Sequence, residues 1–90
     1  MITINVTQHH IDSGVHGDPE DCPIAQAIKD RLKGVLDVRV CLGSIRMVYL
    51  KQEQRYEQII HTPAIVQSFI ETFDHRGKVV PFTFSILNLL

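Results

Sequence analysis

Two prolines constrain this chain most. Pro23 follows Cys22, Pro63 follows Thr62, and each is succeeded by apolar residues at helical spacing. Proline suits the first helical position, where its missing N–H has no partner to lose. Ile24, Ile28 and Leu32 lie four residues apart, with Ala25 and Ala27 beside them. Asp18, Glu20 and Asp21 precede this helix, and Lys29, Arg31 and Lys33 crowd its end. That charge order complements the helix dipole, and Gly34 stops the helix. After the second cap-then-proline pair, Val66, Phe69, Ile70 and Phe73 mark another helix. Residues 74–77 end it, with Gly77 supplying the left-handed residue.

The segments around these helices have period two instead. Ile2, Ile4 and Val6 alternate with Thr3, Asn5 and Thr7, which reads as a half-buried strand. Thr7 is placed to cap a short helical turn over residues 8–13, closed by Gly14. Residues 14–21 hold two glycines, a proline and three acids, and read as loop. Val38, Val40 and Leu42 form a second strand, residues 45–51 a third, and Gly43 and Ser44 the turn between them. Residues 52–54 are a second hairpin loop. The next segment reads as a fourth strand over 56–60, although its Glu and Gln content also allows a helix across 52–60. Val80, Phe82, Phe84 and Ile86 close the chain with a strand whose start, at Pro81, lies at an edge or before pairing begins.

The order strand, helix, three strands, helix, strand predicts one α+β domain over residues 1–90. It is a two-layer sandwich, with a mostly antiparallel sheet of four to five strands carrying two helices on one face. The expected core is Ile4, Val6, Ile24, Ile28, Leu32, Val38, Val40, Val48, Val66, Phe69, Ile70, Phe73, Phe82 and Phe84. Ninety residues bury roughly 60% of their unfolded surface, so a homodimer is plausible. An apolar content of 44% with 21% charged residues excludes a disordered tail or a collagen-like fibre. Nine Lys plus Arg against ten Asp plus Glu exclude both a strongly basic nucleic-acid binder and a DNA mimic acting by bulk charge. Residues 1–7 do not read as a secretory leader and no run is long enough to span a membrane, so the cytoplasm is the expected compartment. Cys22 and Cys41 then read as two reduced thiols.

Few residues suggest chemistry. His9, His10, His16 and Cys22, with Asp12, Asp18 and Asp21 among them, include the right atom types for zinc, but their spacing fits no metal template. Cys22 at a helix start could form a thiolate, yet the acids before it oppose that charge. Asp12 with His9 or His10 imitates part of a catalytic triad without a nucleophile to complete it. The loop over residues 14–17 resembles a phosphate cradle only loosely, and the acids after it repel phosphate. No catalytic residue, metal ligand or cofactor is therefore assigned. The remaining signal is basic: Lys29, Arg31 and Lys33 at the helix end, and Arg39 and Arg46 flanking a hairpin turn on an open sheet face. These five are the expected partner-binding residues. The same open face, the one the helices leave uncovered, is expected to carry Cys41 and also Tyr49 or Met47. Leu87, Leu89 and Leu90 form an apolar tail that requires cover.

Two stretches carry a resemblance. His10-Ile11-Asp12-x-Gly14 followed by Cys22-Pro23-Ile24-Ala25-x-Ala27-Ile28, and Phe73-Asp74-x-x-Gly77-x-x-Val80-Pro81-Phe82-x-Phe84, are similar to small proteins encoded by bacteriophages and bacteria. The resemblance implies a phage or prophage origin. By analogy with other phage proteins of this size, it implies binding to a host protein or nucleoprotein, as inhibitors of CRISPR complexes do. The expected function is thus binding without catalysis. The alternative is a metal or thiol site between His9 and Cys22 serving regulation or hydrolysis.

Overall fold

The computed structural model describes residues 1–87 as an α+β fold with three helices and five antiparallel strands. In chain order these are β1 (Ile2–Val6), α1 (Gln8–Ser13), α2 (Pro23–Arg31), β2 (Val35–Val40), β3 (Ser44–Lys51), β4 (Gln54–His61), α3 (Ala64–Asp74) and β5 (Phe82–Ile86). The segment left open between strand and helix is strand β4. Its hairpin with β3 turns on Gln52 and Glu53, both at positive φ (51° and 65°). Two successive left-handed residues match the twist of a two-residue hairpin loop.

The strands form two sheets rather than one. β1 pairs with β5, joining the two ends of the described chain with Ile4 opposite Phe84. The meander β2-β3-β4 is separate. The acidic loop helps set this division: the N–H of Val40 donates to the carbonyl of Pro19 at 2.8 Å, so loop backbone meets the outer side of β2 there. α2 packs against both β1 and β2 and bridges the sheets. Ile24 and Ile28 on its inner face are fully buried, worth about 1.5–3 kcal/mol each.

The inner face of the meander carries Val38, Val40, Ile45 and Met47, all in the core. Met47 and Tyr49 are therefore buried inward and not displayed on the open face. Val48 is buried too, but on the opposite face, opposite Asp37 and Glu57. Leu32, Ile70 and Phe82 pack around the core as partly buried neighbours. Leu42 lies past the end of β2 and is 46% exposed. Leu87 is exposed, and the expected burial of Leu89 and Leu90 concerns residues outside those described.

Helix ends show where local chemistry acts. Thr7 caps α1, and Cys22 caps α2 by accepting the Ala25 N–H on its sulfur at 3.5 Å. Thr62 does not cap α3; its hydroxyl donates to the carbonyl of Cys41 at 2.8 Å and ties the end of β4 to the β2–β3 turn. The left-handed residue after α3 is Arg76 (φ 62°), not Gly77. Gly77 N–H donates to Thr72 O and Arg76 N–H to Phe73 O, which together make a Schellman motif. Among the described residues, no helix is long and apolar enough to cross a membrane.

Candidate functional site

The His–Cys segment does not converge. His10 is buried, and its Nδ1 accepts the Thr7 N–H at 3.0 Å. That leaves the proton on Nε2, which donates to Asp30 Oδ2 at 2.6 Å. Asp12 is not its partner, since Asp12 accepts from Gln8 at 2.9 Å. Thr7 Oγ1 also lies 3.1 Å from His10 Nδ1, so hydroxyl, imidazole and carboxylate stand in line. A general base needs its lone pair to take the hydroxyl proton. Here the Thr7 N–H already occupies that lone pair, and the arrangement is a capping box.

His16 has left the group altogether. Its ring lies flat on Phe73, with centroids 4.1 Å apart. Cys22 is buried, and burial, first, then the charges of Asp74 and Asp18 push its thiol above its ordinary value, against two backbone N–H groups that lower it. The helix-start position therefore does not yield a thiolate: desolvation outweighs the N–H groups. Among the described residues, no three His, Cys, Asp or Glu side chains gather as a metal ion would require.

The basic residues divide into two sets. Arg39 and Arg46 are direct cross-strand neighbours on the outer face of the meander, as the hairpin reading expected. Both are engaged by acids. Arg46 Nε donates to Glu57 Oε2 at 2.8 Å, its Nη2 lies 2.6 Å from the same oxygen, and Nη1 lies 3.7 Å from Asp37. Arg39 faces Glu20 at 3.8 Å. Lys29 donates to the carbonyl of Glu20 at 2.7 Å and lies 3.9 Å from Asp21. These contacts place the acidic loop against two of the five expected residues, Lys29 and Arg39, while Arg46 is held by acids of the meander itself.

Arg31 and Lys33 belong to the second set. They line an open cleft of about 290 Å³ at the end of α2, with Leu32, Val35, Tyr49 and Lys51. No carboxylate lines it, and among the described residues none forms an ion pair with Arg31, Lys33 or Lys51. The nearest acid by sequence, Asp30, is held by His10. The geometry follows from register. Tyr49 pairs with Val35 at the start of β2, so Leu50 and Lys51 run on past it, alongside the α2–β2 turn. The sequence already places Lys51 with the basic residues of the meander, but only the register brings it to the helix end. Such a cleft can receive anionic groups against an apolar floor. Compared with protein-family models, curated proteins and solved structures, the chain finds no significant match.

Proposed function

We propose that this protein is a non-catalytic binding module that docks an acidic surface of a larger partner through the end of α2. The observation that carries this reading is the cleft with three cations, Arg31, Lys33 and Lys51, and no lining carboxylate. Arg39 and Arg46 do not line the cleft; they sit on the opposite face of the meander, each engaged by acids, and are secondary to it. The resemblance of the two chain ends to phage-encoded proteins makes a host cytoplasmic protein or nucleoprotein, such as a CRISPR defence complex, the first partner to test. A stable inhibitor of that kind would act by occupying a surface its target needs.

The test is capture from bacterial lysate with tagged protein, comparing the natural chain with an Arg31→Glu/Lys33→Glu/Lys51→Glu variant and an Arg39→Glu/Arg46→Glu variant. A stoichiometric partner retained by the natural chain, lost from the cleft variant and weakened by rising salt supports the reading. Retention by the cleft variant overturns the assigned surface. Absence of any partner in lysates and with purified defence complexes overturns the binding reading.

A further inference from the structure

A second depression lies at the opposite end of α2, about 13 Å away for a nine-residue helix. It encloses about 340 Å³ between the loop before α2, the end of β2 and the last turns of α3. That volume is within the range of ligand-binding clefts. Pro19, Ile24, Val40, Leu42, Phe69 and Phe73 supply apolar walls. The walls are fixed before any ligand arrives. His16 stacks on Phe73, the Gly17 N–H donates to Asp74 Oδ1 at 3.0 Å, and the Val40 N–H holds Pro19.

The rim is acidic. Asp18, Glu71 and Asp74 line the groove, and His75 is the only basic side chain lining it among the described residues. The helix dipoles do not decide the sign, because α2 begins at the groove while α3 ends there. The carboxylates do. They form one edge: Asp74 with Asp18 beside the loop, and Glu71 on the neighbouring turn of α3. Asp74 and Asp18 both bear on the buried Cys22 thiol at the groove base, which registers the negative field there.

An apolar trough of this volume with one continuous acidic edge, formed by Glu71 and Asp74 on successive turns of α3 and Asp18 beside them, fits an apolar side chain followed by a cation on the same peptide. We infer that this groove binds a partner peptide that inserts an aromatic or aliphatic side chain and places a neighbouring lysine or arginine against the acidic edge. The acidic edge attracts and orients that cation, and the apolar walls supply the affinity. The site is independent of the basic cleft and selects the opposite charge.

The experiment is an NMR titration of the full chain with acetyl-Lys-Phe-Leu-Lys-amide, its charge-reversed analogue acetyl-Glu-Phe-Leu-Glu-amide, and free phenethylamine. The basic peptide is expected to shift the methyl signals of Ile24, Val40 and Ile70 saturably. Affinity is expected to fall about tenfold in Glu71→Gln/Asp74→Asn, which removes the partly exposed ion pairing along that edge. Asn can still accept the Gly17 N–H, so the fold is retained. Leu42→Arg, at an exposed wall position, places a cation in the trough and is expected to block binding with the rest of the spectrum unchanged. The inference is overturned if the acidic peptide binds equally, if groove signals do not shift, if both variants bind as the natural chain does, or if phenethylamine binds as tightly as the peptide.

Discussion

His10 on α1 donates its Nε2 proton to Asp30 in the last turn of α2, across 2.6 Å and twenty residues of chain. The bond joins two short helices that neither could stabilise alone. It holds the Asp30 carboxyl below its ordinary value, first through the hydrogen bond itself, with burial opposing and the nearby Lys33 charge adding.

Asp30→Ala leaves a buried imidazole N–H without its acceptor. The expected cost near neutral pH is about 1 kcal/mol, the low end for an orphaned donor because Asp30 itself is mostly exposed. The sign with pH follows from the depressed value. The contribution is present above the unfolded carboxyl value near 3.8 and is lost as pH falls through the lower folded one. Denaturant melts of both proteins should therefore differ at pH 7 and converge in acid. Equal stability at pH 7 would remove the bond from the account.

Gly14 is required by packing and not by its backbone angles. Its φ is −70°, open to any residue, but a Cβ there would stand 2.4 Å from Cδ of Pro23. The proline ring cannot rotate away, so the α1–α2 connection must move. Gly14→Ala is expected to cost about 1–3 kcal/mol, the range for overpacking. The check is thermal melting, where each kcal/mol lowers the midpoint by about 4–8 °C in a domain of this size. An unchanged midpoint would contradict the close approach.

The end of α3 contains the opposite case. Arg76 occupies the left-handed position that closes the Schellman motif, at φ 62°. A side chain there is strained by about 1–2 kcal/mol, part of which glycine returns through its greater unfolded freedom. Arg76→Gly should raise stability by about 0.5–1 kcal/mol on that balance. The measurement is a higher denaturant midpoint with an unchanged slope. A lower midpoint would mean that Arg76 makes a compensating contact in solution.

These positions show which features local sequence encodes. The starts of α1 and α2 were legible because Thr7, Cys22 and Pro23 act within one turn. Four of the strands were legible because burial on one face imposes period two, whereas β4, rich in Glu and Gln with no buried residue, fitted a helix as well. The two-sheet division was not, since it involves a backbone bond between Pro19 and Val40 that no side-chain pattern announces. Thr62 and Gly77 misled for a similar reason: tertiary contacts took the Thr62 hydroxyl, and the motif's geometry put Arg76 where glycine was expected. At the candidate site, charge alone could not separate Arg39 and Arg46, held by Glu20, Asp37 and Glu57, from Arg31 and Lys33, which meet Lys51.

The two thiols provide the last prediction, because burial sets them apart. Cys41 is exposed, whereas Cys22 is buried with its thiol value raised chiefly by desolvation. Thiolate is the reactive form, so Cys22 is doubly protected. Native protein treated with iodoacetamide at pH 8 should gain one adduct, mapped to Cys41 by peptide mass spectrometry, and a second only after denaturation. The raised value also fixes an alkaline limit. Below the ordinary thiol value of 9.0, Cys22 is protonated folded or unfolded; as pH rises past it, the unfolded chain loses the proton first and folding is disfavoured. Cys22→Ser keeps an acceptor for the Ala25 N–H and removes this titration, so it should flatten the stability profile above pH 9. Rapid labelling of native Cys22 would show instead that the loop before α2 opens readily and that the groove it walls is not preformed.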